Sequence, residues 1–253
     1  MTDLSKLFDS YSRQARLYPA LLVLFPALLV VLSLFPSALT VGQTLISIAV
    51  ACGVLFFLAD FARARGKAIE PKLLSKWGGW PTTIWLRHRD QTLPADQKHR
   101  YHVFLSRQPG IGILPTAAEE GRDPSSADQR YASAVAWLKE RCRGSAFPLV
   151  EKENATYGFR RNLLGLRTLA IILIVVACLL PLLLSATHAH SIESIELVNS
   201  YEDLDLQVYG ALAVALIAIG LLVFVVNPRW VRAAGDQYAR ALLACCDTLD
   251  GTL

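Results

Sequence analysis

Four predominantly apolar stretches, from about Leu17 to Leu34, Val41 to Phe61, Leu169 to Ala186 and Val208 to Val226, constrain this 253-residue chain more than any motif it carries. Each is roughly 18 to 21 residues long, and at about 1.5 Å of helical rise per residue that matches a hydrocarbon core roughly 30 Å thick. Backbone groups in lipid must bond within their own segment, so such stretches span as helices. A mean hydropathy of +0.38 and 53% hydrophobic residues are too apolar for an ordinary soluble domain. A signal peptide is the rival reading of the first stretch, but Pro36-Ser37-Ala38 leads straight into a second span.

The 25 Lys and Arg residues fix an orientation: three precede the first stretch, nineteen lie between the second and third, and three follow the fourth. The turn from Pro36 to Val41 is uncharged, and the connection 187–207 carries only the acids Glu193, Glu196, Glu202, Asp203 and Asp205. Basic loops stay in the cytoplasm. The chain thus reads as an all-α bacterial inner-membrane protein with both termini inside. Residues 1–16 form an amphipathic cytoplasmic helix, 17–62 a first transmembrane hairpin, 63–167 a helical cytoplasmic domain, 168–226 a second hairpin with an acidic periplasmic loop, and 227–253 a cytoplasmic C-terminal helix. The basic bias is what insertion requires, and anionic phospholipid is the default partner.

Three helices are expected in the cytoplasmic domain, opened by Pro81-Thr82-Thr83, by Thr92 with Pro94, and by Asp123 with Pro124; the last is stopped by Gly144. Pro26 removes a backbone donor in mid-span and is expected to kink the first membrane helix. Ala49 with Gly53, and Ala211 with Ala215, sit at small-xxx-small spacing, which permits close helix contact within a protomer or in a homo-oligomer.

The densest polar and aromatic stretch runs Lys76, Trp77, Trp80, Trp85, Arg87, His88, Arg89, with Arg100 soon after and Arg160-Arg161 farther on. One reading is a pocket for an anion, such as a nucleotide, a nucleic-acid strand or a lipid headgroup, with arginines on phosphate and rings stacked on bases. The other is a juxtamembrane belt of interfacial tryptophans and cations. His88, Asp90, Asp96, His99 and His102 are candidates for acid–base work, but no recognised ligand or catalytic pattern accompanies them. His188, His190 and Glu193 are weak candidates for a divalent cation, and more simply polar residues ending a span. The five cysteines lack zinc-site spacing, no cofactor motif is present, and the spans hold no ionisable residue at mid-membrane of the kind a proton or ion pathway needs.

The stretches Glu70-Pro71, Trp77 to Asp90 and Tyr157 to Leu163 resemble a group of uncharacterised bacterial multi-span proteins, a likeness that covers about a third of the cytoplasmic segment and implies no activity. The four-span plan with a cytoplasmic module is also similar to membrane sensors and effectors of anti-phage defence systems. That resemblance is one of architecture. The functional expectations are three: a non-enzymatic homo-oligomeric sensor or effector that binds a protein, nucleotide or nucleic acid; a membrane anchor for a cytoplasmic partner; and a cytoplasmic-face enzyme acting on lipid or nucleotide.

Overall fold

The computed structural model describes residues 10–34, 45–188 and 206–250, and every element among them is helical. In chain order these are α1 (Ser10–Leu34), α2 (Leu45–Trp77), α3 (Pro81–Ile84), α4 (Ala95–Ser106), α5 (Ala117–Arg122), α6 (Pro124–Arg141), α7 (Pro148–His188), α8 (Leu206–Phe224) and α9 (Pro228–Asp250). The N-terminal part of the amphipathic helix, the turn 36–41, the acidic loop with His190 and Glu193, and the side chains of Ala49, Gly53 and His188 lie outside the described residues.

The chain divides into two compact units: unit 1 comprises Met1–Ala68 and Gly158–Trp230, and unit 2 comprises Ile69–Tyr157 and Val231–Leu253. The divisions fall near the start of α9 and within the two longest helices, α2 and α7. Both helices run on past their apolar runs, α2 for 33 residues through Pro71 and α7 for 41 residues from Pro148.

In unit 1, α1, α7 and α8 are long and apolar enough to cross a membrane. The expected second span coincides with the apolar first half of α2. Pro26 sits buried inside α1, and a π-helical turn spans Arg13–Leu17. The core joins Val23 and Val30 of α1 to Leu166, Ala170 and Ile174 of α7 and to Ala211 and Ala215 of α8. Ala215 is fully buried. The small face of α8 is therefore used against neighbours inside the protomer. Gly165 of α7 lies so close to α2 that an added Cβ would meet the Arg65 backbone carbonyl at 2.6–2.7 Å. Glycine at this crossing permits backbone approach that any side chain would block.

The surface of unit 1 is apolar. Tyr18, Leu22, Phe25, Phe57, Val176, Leu216 and Phe224 are among its exposed large hydrophobic side chains, and every other such residue of the described chain except Ile113 and Leu149 lies in this unit too. Large apolar side chains exposed over a packed interior are what a lipid environment accommodates. The three long apolar helices fit a multi-pass membrane protein.

Unit 2 is a helical domain whose core gathers Trp85, Leu86, Tyr101, Leu105, Tyr131, Leu138, Leu242 and Leu243. Asp123 caps α6 by accepting from Ser126 N at 3.0 Å, with Pro124 at the first turn. The C-terminal helix, expected from Val231, Tyr238, Leu242 and Cys245 at helical spacing, folds into the same core, with Val231, Leu242 and Cys245 buried and Tyr238 partly so. One helix was not expected, α5, held by a capping box in which Thr116 and Glu119 satisfy each other's backbone donors.

Candidate functional site

Gly78 (φ 78°) and Gly79 (φ 127°) end α2 in backbone conformations that side chains rarely adopt, and the chain turns into α3. The loop that follows is tied down by carboxylates from α5 and α6. Arg87 makes a two-pronged pair with Asp128, Nε to Oδ1 at 2.8 Å and a second nitrogen to Oδ2 at 2.9 Å, and also donates to the Gly78 carbonyl at 2.8 Å. Arg89 donates to Glu120 Oε1 at 2.9 Å and to both oxygens of Asp128 at 2.9 and 3.0 Å. Two guanidinium forks thus share one aspartate.

Glu120 is the centre of this arrangement. Only 3% exposed, it accepts from the backbone nitrogens of His88 (2.7 Å) and Arg89 (3.1 Å) and from the Tyr131 hydroxyl (2.7 Å). Burial works against its charge, but these donors and the Arg89 cation outweigh burial and hold the carboxyl at about 2. Burial, reinforced by Glu120, pushes the Tyr131 hydroxyl well up. The Lys98 ammonium reaches the carbonyls of Arg87 (2.7 Å) and Asp90, although burial lowers its affinity for the proton.

The histidines are structural in the same sense. A ring nitrogen of His88 pairs with the Pro115 carbonyl at 2.9 Å, and Nε2 of His102 pairs with the Leu86 carbonyl at 2.7 Å. A carbonyl only accepts, so each of these nitrogens carries a proton. The two rings meet edge to face at 4.8 Å. Burial brings His102 down to about 4. His99 is exposed on α4, and Asp90 accepts from Thr92 N at 2.9 Å. Among the described residues no group of three or more His, Cys, Asp or Glu could hold a metal ion.

All five tryptophans have a cation near the ring: Arg232 at 5.5 Å from Trp77, Lys139 at 5.0 Å from Trp80, Arg240 at 5.9 Å from Trp85, Arg141 at 5.1 Å from Trp137 and Arg160 at 4.8 Å from Trp230. Trp85 is buried outright. In unit 2 the stretch from Lys76 to Arg100 therefore brings rings and cations together, chiefly with partners from within the same unit. Lys76 is exposed, and Arg100 makes an exposed pair with Asp247 at 3.3 Å. Arg160 and Arg161 belong to unit 1.

The polar groups of α5 and α6 also line a cleft of about 230 Å³, with Pro115, Glu119, Arg122, Asp123, Ser126 and Arg130 on its walls. Sequence reasoning missed it, as it missed Glu120 and Asp128, although the Thr116-x-x-Glu119 spacing marks the helix that presents Glu120. Chemically, the described groups hold one another: acids face bases, ring nitrogens face carbonyls, and rings face cations. Such an arrangement makes a rigid surface. Compared with protein-family models, with curated proteins and with solved structures, the chain finds no match in any of the three.

Proposed function

We propose that this chain is a non-enzymatic membrane protein in which four spans, arranged as two hairpins, hold a helical domain at the cytoplasmic face of a bacterial inner membrane. There the domain binds a protein, nucleotide or nucleic-acid partner, and the chain serves as a sensor or effector acting on the membrane. The observation that carries the reading is the contrast between the units. Unit 1 exposes an apolar exterior, whereas unit 2 spends its buried titratable groups on mutual contacts, with Glu120 bonded to four donors and His102 to a carbonyl. A general acid or base needs a group poised near the working pH and within reach of a substrate. Glu120 and His102 are poised far from neutrality.

The orientation, with both termini inside, is supported by the one-sided distribution of the 25 basic residues. The second reading, a static anchor for a cytoplasmic partner, is favoured by one observation: Ala211 and Ala215, the small pair of α8 at close-packing spacing, are buried inside the protomer. Dye uptake by cells overproducing the protein separates the two. Entry of a membrane-impermeant dye supports the effector, and intact membranes at equal expression support the anchor.

A further inference from the structure

Three helices of unit 1 meet where their apolar runs give way to charge. Asn162 of α7, 1% exposed, donates its Nδ2 to the Ala15 carbonyl of α1 at 2.6 Å. Ala15 lies in the π turn Arg13–Leu17. A widened turn disturbs the regular ladder, and an inserted side chain can take the carbonyl it releases. On α2, Gly66 abuts the same asparagine so closely that an added Cβ would overlap its side-chain oxygen. The junction is thus fixed by glycine contacts and one buried amide.

The side chains this junction brings together are mostly of one sign. Arg16 of α1, its guanidinium over the Tyr11 ring at 5.8 Å, lies half-buried and within electrostatic reach of Arg63 and Asp60 of α2 and Arg161 of α7. Arg161 is held in place by two bonds to Asn162 Oδ1, at 3.2 and 3.0 Å. Arg63 and Arg65 are exposed on α2. Asp60 is the one carboxylate among the described residues of unit 1. Cations at the ends of apolar helices lie at the depth of lipid phosphates when the helices span a bilayer.

We propose that this α1–α2–α7 junction is a phosphate-binding site, in which Arg16 and Arg63 contact the anion and Arg161, locked by Asn162, positions them. The proposal rests on the membrane reading of unit 1. The ligand chemistry is a phosphate carried by an anionic lipid headgroup or by a soluble molecule.

The test uses the full-length protein in mild detergent, titrated with phosphatidylglycerol or phosphatidylcholine and read by native mass spectrometry. Wild type should retain phosphatidylglycerol over phosphatidylcholine by about tenfold, and the preference should fall as salt rises. The double change Arg16→Gln with Arg63→Gln should remove about tenfold of that preference, whereas Arg16→Lys with Arg63→Lys should keep most of it. Arg143→Gln, on an exposed residue of unit 2, should change nothing. Displacement of phosphatidylglycerol by millimolar pyrophosphate assigns the site to a soluble phosphate, and its absence assigns it to the lipid. A wild-type protein without headgroup preference, or a folded Gln double variant that keeps it, overturns the proposal. Insertion into nanodiscs is scored separately, so failure of the membrane reading is seen as failure to insert.

Discussion

Tyr131 donates its hydroxyl to Glu120 Oε2 across 2.7 Å inside the core of unit 2, and the same oxygen accepts from His88 N. The carboxylate therefore fastens α6, α5 and the loop after α3 at one point. Removing its charge leaves four donors facing a weaker acceptor, and removing its oxygens takes the acceptor from His88 N, Arg89 N and the Tyr131 hydroxyl. Glu120→Gln should destabilise the domain by about 2 kcal/mol and Glu120→Ala by about 3 to 5 kcal/mol. Urea unfolding followed by tryptophan fluorescence measures both, and a cost below 1 kcal/mol for the alanine variant would remove Glu120 from its central role.

Acid should unfold unit 2 in two stages, both of the same sign. His102 titrates at about 4 in the folded protein against 6.5 when exposed. Its neutral, buried state thus contributes stability that is whole above pH 6.5 and lost as pH falls toward 4. Glu120 lies at about 2 against 4.5, so its contribution is whole above pH 4.5 and is lost as pH falls toward 2. Each shift corresponds to about 3 kcal/mol. The thermal midpoint of the solubilised protein should drop between pH 7 and 4. His102→Gln, which keeps a donor for the Leu86 carbonyl, should flatten that part of the profile, and an unchanged slope would contradict the assignment.

Asp128 serves two arginines, and its loss should be felt at both. With Arg87 only 12% exposed and Asp128 30% exposed, Asp128→Asn should cost about 1 to 3 kcal/mol. Because Arg87 and Arg89 share the acceptor, Asp128→Asn combined with Arg87→Gln should cost less than the two single changes added together. Additive losses in that double-mutant cycle would show that Arg87 and Asp128 are not coupled.

The sequence carried the membrane class because hydropathy is a property of single segments, and it carried α6 and α9 because Asp123-Pro124 and the spacing of Val231, Leu242 and Cys245 are local signals. It did not carry the site. Glu120 meets His88 and Arg89 across more than thirty residues, and nothing in a run of Arg, His and Trp says whether its partners are phosphates or carboxylates of the same chain. The small residues of α8 posed a similar ambiguity. Ala211 and Ala215 suit close contact with any helix, and only the fold identifies the neighbours as parts of the same protomer. The capping box of Thr116 and Glu119, by contrast, was present as a local signal and passed unread.

Topology is checked by reporter fusions. Fusions after residues 120 and 253 should report a cytoplasmic location and one at residue 195 an external one, since none of the 25 basic residues falls in the connections 36–41 and 187–207. An external signal at residue 120 would reverse the orientation and move unit 2 off the face on which the proposed function places it.

The glycines and alanines of unit 1 give the sharpest contrast between positions that look alike in sequence. Gly165 lies against the Arg65 carbonyl, whereas Gly220 has nothing within 4 Å of where a Cβ would stand. Gly165→Ala must push α2 and α7 apart and should cost about 1 to 3 kcal/mol, as overpacking does. Gly220→Ala should be neutral or stabilising by up to about 1 kcal/mol, since alanine loses less backbone entropy in a helix. Ala215→Leu falls with the first class, because Ala215 is fully buried in the cluster that α8 shares with α1. It should lower the thermal midpoint of the protomer while leaving the oligomeric state in nanodiscs as it was. A change of oligomeric state at unchanged midpoint would instead place Ala215 at a contact between protomers.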